Sequence, residues 1–572
     1  MISPRHELAQ RLLDGLASGG LDRRRFLTMA SALGVAGVLN GAQVDRAVSA
    51  SETQTRNRQA LKGRYDHIVV GSGAAGCIIA ARLAEAGADV LLVEAGGGDD
   101  LEQVRTPGVW FTNIGGPLDW NLKAAPSPYV NDRRVPVAMG HVLGGGTSIN
   151  AMLWVRGLAA DYDAWAQDGC EGWGFKDVLP VFKSLEDWEG GANAWRGAGG
   201  PVHVRTAAAH PHPTAAAFID ASRQLGVPIL DDVNGPMREG AGYVNMSIAK
   251  DGARDSAARA FLRPALARPN LTLLLNSQVM DLTFDKTRCT GVRMMTTDGA
   301  RTVAAGEVIV AAGGVNSAKL LMLSGLGDAA ALKPLGIAPV LDLPGVGMNF
   351  QDHPLLFGVV FKCKGAMAPR SMQSNAVEAA AYVRSDGARP GPDIKMVLMQ
   401  LPVVTDEIRA EYGAPPADCF TIAPALVRPT GRGSVKLASA DWRAPALLET
   451  GFLSTDADLA ATVRCIEMCR SLGHEAAYDG LRSEELIPGR APSAEDLRRF
   501  AGKAAISFGH QVGSCKMGVD AEAVVDPKLR VHGVEGLRVC DSSIMPRIVT
   551  GPTNAATQMI GARAAALILE QR

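Results

Sequence analysis

Residues 65–95 combine a glycine-rich turn with an acidic residue at a spacing suited to a nucleotide. The pattern predicts strand, turn, helix and strand, with G-x-G-x-x-G at Gly71, Gly73 and Gly76. Gly71 permits the tight turn, Gly73 lets a pyrophosphate approach the backbone, and Gly76 lets the helix pack closely on the strand. The free amides at the helix N-terminus then attract phosphate charge.

Glu94 ends the second predicted strand, 18 residues after Gly76. Its carboxylate is placed to accept hydrogen bonds from ribose hydroxyls. Ser72 and Ala74 lie between the glycines and belong to the same predicted phosphate loop. Because all the parts fall at the required spacing, we predict a dinucleotide site rather than a cofactor-free α/β crossover. The motif by itself does not separate FAD from NAD.

A histidine and an asparagine near the C-terminus could act on a hydroxyl group. His510 ends a short apolar stretch in "AISFGHQVGSCKMG", and Asn554 follows 44 residues later, before a predicted helix. Histidine suits proton transfer because its pKa lies near working pH. A lone histidine is more often a structural residue, and an asparagine before a helix is a good N-cap. These two residues by themselves leave both interpretations open.

Five further stretches follow the N-terminal fingerprint in a fixed order. Together they resemble the glucose-methanol-choline (GMC) family of FAD-dependent oxidoreductases, over about residues 64–569. The stretches are "GHVLGGGTSINAMLWVRG" (140–157), "VIVAAGGVNSAKLLMLSGLG" (308–327), "LDLPGVGMNFQDHP" (341–354), "VGSCKMG" (512–518) and "GLRVCDSSIMPRIVTGPTNAATQMIGARAA" (536–565).

The resemblance implies an α/β fold with a Rossmann-type FAD-binding domain and a second, α+β substrate domain built on an antiparallel sheet. The FAD-binding domain is expected over 64–345 and again over 510–572, which carries the catalytic loop and the last helix. The substrate domain is expected over 346–509. Its strand-like runs alternate with a predicted helix at 456–472.

The resemblance also implies which residues hold FAD. A second glycine-rich loop would lay its backbone against the flavin, a backbone contact near Val279 would hold the adenine, and Asp541 would touch the flavin side. Some relatives carry a flavin-bonded histidine where this chain has Ile149, so we expect non-covalent FAD. His141 stands where the family usually has arginine, which leaves its role open. The remaining expected contacts are Val142, Gly146, Asn150, Ala151, Met152, Leu153 and Ala555.

By the same resemblance, His510 is the base that takes the hydroxyl proton and Asn554 bonds the substrate oxygen. FAD would accept the hydride, and oxygen, a quinone or a cytochrome would accept the electrons in turn. Residues 346–509 offer few aromatics and no acidic cage for a choline-like cation. We therefore expect a neutral primary alcohol, aromatic alcohols included, to be oxidised to an aldehyde. The alternatives are a hydroxynitrile lyase with structural FAD and a flavin-binding electron-transfer subunit without its own chemistry.

The N-terminus resembles an export signal. Arg23 and Arg24 precede about 14 weakly apolar residues, a run too short to span a bilayer easily. This layout predicts a twin-arginine signal over 1–50, with "AVSA" at 47–50 offering a cleavage site, and a periplasmic or extracellular protein. Residues 51–63 are expected to form a linker. The alternative is a basic turn before an ordinary buried helix.

Composition excludes several other classes of protein. The 58 basic and 59 acidic residues are well mixed, giving a net charge of −1, so a nucleic-acid surface is not predicted. After the leader no run approaches 18 apolar residues, so no transmembrane anchor is expected. Nine cysteines in 572 residues do not make a disulfide scaffold. Cys465 and Cys469 share one face of a predicted helix. They could be two core residues, or a redox or metal-binding pair. No cluster of His or Cys supplies further ligands, so no metal site is predicted.

Overall fold

The computed structural model describes residues 8–9, 12–13, 15–16, 23–33, 35, 41–236, 239–489 and 492–571. In chain order, its helices are α1 Arg23–Ala32, α2 Gly41–Gln59, α3 Gly76–Glu85, α4 Glu102–Arg105, α5 Gly146–Ile149, α6 Ala159–Gln167, α7 Phe175–Leu185, α8 Pro213–Gln224, α9 Arg263–Ala265, α10 Gly313–Leu323, α11 Ala329–Leu332, α12 Asp406–Tyr412, α13 Asp456–His474, α14 Ala494–Ala504 and α15 Asn554–Leu569.

The strands form two large sheets and several small ones. In chain order they are β1 Arg64–Val70, β2 Val90–Val93, β3 Leu122–Lys123, β4 Pro136–Val137, β5 Glu186–Trp188, β6 Val202–Thr206, β7 Gly240–Tyr243, β8 Asn245–Ser247, β9 Leu271–Leu274, β10 Gln278–Asp285, β11 Arg288–Thr296, β12 Gly299–Val310, β13 Leu326–Gly327, β14 Leu341–Asp342, β15 Pro354–Leu356, β16 Val360–Cys363, β17 Ala379–Val383, β18 Ile394–Met399, β19 Cys419–Leu426, β20 Ser434–Lys436, β21 Leu447–Glu449, β22 Arg482–Ile487, β23 Ala505–Ser507 and β24 Leu537–Val539.

The first large sheet has the order β10-β11-β12-β1-β2-β9, with β24 also paired to β12. Strands β12, β1, β2 and β9 run parallel, and β24 is parallel to β12. Continuous apolar runs such as "VLLV" in β2 suit strands covered on both faces. Strand β12 pairs in two ways. Its first half forms an antiparallel hairpin with β11, and its second half runs parallel to β1 and β24. The predicted strand–turn–helix–strand unit is confirmed as β1, α3 and β2.

The second large sheet is antiparallel, with the order β22-β16-β19-β18-β17-β7, and β15 joins β19 to β23. Helix α13 packs on one face, and the other face covers the cavity described below. This confirms the expected fold class, an α/β domain with a second domain built on an antiparallel sheet. One edge strand, β7, comes from inside the segment expected in the FAD-binding domain. Its sequence "GAGY" has no alternating pattern to reveal this pairing with β17.

Residues 51–59, which we expected in a linker, form the second half of α2. The Gln54 side-chain amide donates to the carbonyls of Leu266 and Leu271 and accepts from the Leu273 amide, which fastens α2 to the outer side of β9. The polar composition of 51–59 suggested a linker, because polar residues rarely pack in a core. In the structure, polar side chains such as Gln54 instead bond to backbone groups at the edge of the sheet. The "AVSA" stretch lies within the same helix.

The remaining N-terminal expectations fall largely outside the described residues. The side chains of Arg23 and Arg24 are among the parts not described, so twin-arginine export stays a prediction. Across the described part of the chain, no helix combines the length and the apolar character that a membrane crossing needs.

All nine cysteines are free and buried. Cys465 and Cys469 lie on the buried side of α13, where it packs on β19. Within the described ranges, no group of three or more His, Cys, Asp or Glu side chains is arranged to hold a metal ion. The placement favours the core interpretation of the cysteine pair.

Candidate active site

A cavity of about 530 Å³ runs from the glycine-rich turn after β1 to the antiparallel sheet. Most of the predicted site residues line it. These are Gly71, Gly73, Ala74, Glu94, Gly146, Asn150, Ala151, Leu153, Val279, His510, Asp541 and Asn554. The others lie behind the wall, and these are Ser72, Gly76, Val142, Met152 and Ala555.

The three fingerprint glycines have different surroundings. A Cβ atom on Gly76 would lie 1.9 Å from the Gly71 carbonyl oxygen, so only glycine fits where α3 meets the turn. Gly71 has a φ of +98°, and a Cβ there would lie 2.5 Å from the Ala311 carbonyl oxygen. Gly73 faces open space, with no atom within 4 Å of a Cβ position. The turn is therefore closed by the protein at Gly71 and Gly76 and open to a ligand at Gly73.

Glu94 is tied to the glycine-rich turn from the end of β2. Its Oε2 accepts hydrogen bonds from the Ser72 amide at 2.9 Å and hydroxyl at 2.7 Å, and its Oε1 accepts from the Gly96 amide. This explains the place of Ser72 behind the wall. Contact of Glu94 with a ribose stays a prediction.

The second glycine-rich loop lies against the first. A Cβ on Gly145 would be 2.8 Å from the Cα of Gly73, so the two backbones are in direct contact. Val142 is fully buried and pairs with Gly97, which joins the loop to the end of β2. Two touching glycine backbones along a long cavity fit an extended dinucleotide, because glycine has no side chain to obstruct it.

Arg254 holds the second loop from beneath, and nothing in the sequence pointed to it. Its guanidinium donates to the backbone carbonyls of Thr147 and Asn150 and to the Asn150 side-chain oxygen. Burial lowers the pKa of Arg254 to about 9. The Asn150 side-chain oxygen also accepts from the Met152 amide, where Met152 adopts a φ of +58°. Arg254 therefore fixes the loop expected to lie along the flavin.

Asp541 connects the C-terminal segment to the start of α10. Its Oδ2 accepts from the Gly313 amide at 2.8 Å and the Ser317 hydroxyl at 2.5 Å, and its Oδ1 accepts from the Ser543 amide. These bonds fix the loop after β24, whose residues Asp541 and Ser542 line the cavity.

His141 packs against an aromatic ring at the cavity wall. Its ring lies against Trp120, with centroids 4.2 Å apart, and its backbone amide donates to the Leu118 carbonyl. The structure therefore gives His141 a packing contact beside the cavity, where Trp120 forms part of the wall.

His510 is paired with a second histidine that sequence reasoning missed. The Nδ1 atoms of His510 and His353 are 2.9 Å apart, and their rings are nearly perpendicular. Phe508 stacks on the other side of His510, with centroids 4.5 Å apart. His353 lies in the "LDLPGVGMNFQDHP" stretch, one of the stretches that resemble the family, so this motif could have marked it as a site residue.

Asp352 supports both histidines through their backbones. Its Oδ1 accepts from the amides of His353 and His510, and its Oδ2 accepts from the Ser507 hydroxyl. Burial is the main cause that raises the pKa of Asp352 to about 7. The carboxyl thus joins the loop before β15 to the loop after β23, which brings the two rings together.

The contact between the rings couples the tautomers of His510 and His353. Burial lowers the pKa of His510 well below its usual value and that of His353 to about 3, so both rings are neutral. One Nδ1 must then donate and the other accept. If the proton of His510 sits on Nδ1 and is donated to His353, Nε2 carries the free lone pair. This tautomer suits a proton acceptor.

Asn554 is the first residue of α15, and Thr553 is the residue that precedes the helix. Its side-chain nitrogen donates to the Leu153 carbonyl at 3.5 Å, and its oxygen accepts from Gln558 at 3.0 Å. The side chain lies on the cavity wall and makes no capping bond, so the N-cap alternative does not describe this residue.

Comparison with known proteins places the chain in a family. Family models described as GMC oxidoreductase match residues 65–355 and 429–561. The chain is 37% identical to the oxygen-dependent choline dehydrogenase of Brucella melitensis over 531 residues, covering 88% of this chain and 95% of that one. It is 36% identical to the mitochondrial choline dehydrogenase of Mus musculus over 544 residues, covering 89% and 90%.

Solved structures agree with this placement. The structure of pyridoxine 4-oxidase from Mesorbium loti matches with a TM-score of 0.85 and 32% identity, covering 89% of this chain and 99% of that one. The chain therefore belongs to the GMC oxidoreductase family and is an FAD-dependent oxidoreductase that acts on CH–OH groups.

Proposed function

We propose that this protein oxidises a neutral primary alcohol, aromatic alcohols included, to an aldehyde with His510 as the general base. The observation that carries the proposal is the 2.9 Å contact of His510 Nδ1 with His353 Nδ1 at the cavity wall, which allows the tautomer of His510 in which Nε2 keeps its lone pair. Asn554 lines the same cavity and can donate a hydrogen bond to a substrate oxygen without adding charge.

In the proposed reaction, His510 Nε2 takes the hydroxyl proton. Asn554 orients the oxygen, while His353 and Phe508 hold the His510 ring on two sides. Both glycine-rich loops, with Glu94 and Asp541, would hold FAD, which supplies the hydride acceptor when bound. The electron acceptor that follows is proposed to be oxygen, a quinone or a cytochrome.

The wall near His510 supports a neutral substrate. No carboxylate of the described residues lines that end of the cavity, and Glu94 and Asp541 are bound by backbone amides elsewhere. An apolar wall with one base favours an uncharged alcohol with an apolar or aromatic body. The residues that form this wall are Trp110, Leu355, Phe357, Val377, Met399, Leu401, Ile506 and Phe508.

The proposed function is tested by mixing the holoenzyme anaerobically with a panel of alcohols. Benzyl alcohol and a straight-chain primary alcohol should bleach the flavin absorbance, whereas a tertiary alcohol has no hydride to transfer and is the matched control. Oxygen, quinone and dye acceptors are then compared for reoxidation. Failure of all the alcohols to bleach the flavin would favour the hydroxynitrile lyase or the subunit without its own chemistry.

We further propose that FAD is held without a covalent bond. Ile149 lies on the cavity wall where some relatives have a flavin-bonded histidine, and its side chain has no atom that could bond to the ring. Precipitating the protein with acid should release all of its yellow colour into the supernatant. Flavin that stays with the precipitated chain would contradict non-covalent binding.

Twin-arginine export to the periplasm or beyond is also a proposal. It is supported by Arg23 and Arg24 ahead of a short apolar run and by a cofactor that must be loaded before export. Changing both arginines to lysine should leave active, flavin-loaded enzyme in the cytoplasm. Changing Arg56 and Arg58 to lysine is a control outside the signal. Normal export of the Arg23 and Arg24 variant would show that another route is used.

A further inference from the structure

A buried lysine lies behind the catalytic wall, on the cavity face of the antiparallel sheet. Lys395 is in β18, where it alternates with Val397 and Met399 on that face. The residue is 1% exposed, and its Nζ makes no hydrogen bond with the described residues. The Nζ lies 5.0 Å from the ring centre of Tyr382 and 5.3 Å from that of Phe508.

An ammonium group in such a place is unusual, because burying a charge without a partner is costly. Two aromatic ring faces return only part of that cost. Asp352, a buried carboxyl group of the site, is already bonded to a hydroxyl and two backbone amides and forms no ion pair with Lys395. The positive charge of Lys395 is therefore not neutralised by an ion pair in the described structure.

One aromatic ring, that of Phe508, contacts both Lys395 and the cavity. Phe508 lines the cavity, has Lys395 on one side and stacks on His510. Lys395 is almost completely buried, so the field of its ammonium is weakly screened by solvent there. A cation that entered the cavity beside His510 would feel this field directly.

We propose that Lys395 determines substrate specificity by repelling cationic alcohols, above all quaternary ammonium alcohols, from the catalytic end of the cavity. This inference rests on the proposed function, because it concerns which alcohols reach His510. Rejecting a competitor by like charge is an effective way to gain selectivity when the apolar contacts with two substrates are similar. Relatives of this chain are named choline dehydrogenases, so such a competitor is a realistic one.

The discrimination should depend on pH. Burial lowers the pKa of Lys395 to about 7, and burial raises that of Asp352 to about 7. Below this range Lys395 is positive and Asp352 neutral, whereas above it Lys395 is neutral and Asp352 negative. Both changes remove the repulsion as the pH rises. The other titratable groups around Lys395 are Tyr382, His353 and His510, and Tyr382 stays neutral because burial raises its pKa.

The test compares choline with 3,3-dimethylbutan-1-ol, which has the same shape without the charge. Flavin reduction is followed anaerobically in wild-type holoenzyme at pH 6 and pH 9, and in Lys395→Met and Lys395→Arg. We expect the wild type to prefer the neutral alcohol at pH 6. In Lys395→Met at pH 6 this preference should shrink about tenfold, as expected when a buried unit charge is removed, while Lys395→Arg should keep it.

Binding is measured separately in a His510→Ala background, where the change in flavin absorbance on titration gives a dissociation constant for each alcohol. The ratio of the two constants reports on Lys395 even if neither alcohol is oxidised, so failure of the proposed function and failure of this inference are distinguished. An unchanged ratio in Lys395→Met, or a wild-type ratio that is equal at pH 6 and pH 9, would overturn the inference. The wild-type pH comparison needs no variant to fold.

Discussion

His510→Ala should lower the rate of flavin reduction by about two to four orders of magnitude, the usual scale for loss of a general base. The FAD content should stay near that of the wild type, because both glycine-rich loops and Glu94 are untouched. The rate is measured by rapid anaerobic mixing with a reactive alcohol. Asn554→Ala should have a smaller effect, since it removes a positioning hydrogen bond and leaves the base in place.

A matched control for this prediction is His210→Ala, which removes an exposed imidazole away from the cavity. It should reduce its flavin at the wild-type rate. The rate of flavin reoxidation should also change little in His510→Ala, because the base acts in the half-reaction in which the alcohol reduces the flavin. If His510→Ala reduced its flavin as fast as the wild type, His510 would have no place in the mechanism.

The second large effect is expected at the phosphate loop. In Gly73→Val, the FAD content of the purified protein should fall at least tenfold, because the new side chain occupies the space through which a pyrophosphate approaches the backbone. The chain should still fold, since nothing lies within 4 Å of a Cβ at Gly73. The ratio of flavin to protein absorbance measures the first outcome, and far-UV circular dichroism measures the second.

Two further glycines make this prediction specific. Gly63→Val also enters open space but lies off the cavity, so it should keep its FAD. Gly76→Val should instead yield little soluble protein, because its Cβ would lie 1.9 Å from the Gly71 carbonyl oxygen. Full FAD content in Gly73→Val would mean that the pyrophosphate does not pass this glycine.

The local parts of this structure were predictable from the sequence. The turn between β1 and α3 depends on neighbouring residues, and Glu94 reaches Ser72 over only 22 positions. The apolar runs of β1 and β2 give direct evidence of buried parallel strands. His510 and Asn554 could be assigned because the motifs around them resembled a family, although the residues alone left their roles open.

What the sequence did not reveal depends on long-range contacts. His353 meets His510 across 157 positions, and Asp352 reaches the His510 amide across 158. Arg254 reaches the second loop across more than 100. No periodicity encodes such pairs, because they arise only when separate strands and loops converge. Lys395 looked like an ordinary polar residue in a strand until its burial was known.

The attachment of α2 to β9 has a consequence for how copies of this protein behave together. Strand β9 ends its sheet, and an uncovered outer strand offers amides and carbonyls with which a strand of another molecule can pair. Gln54 occupies the carbonyl of Leu271 and the amide of Leu273, and Asn57 adds a second bond to the Leu271 carbonyl. Helix α2 thus protects the protein from edge-to-edge aggregation at this side of the sheet.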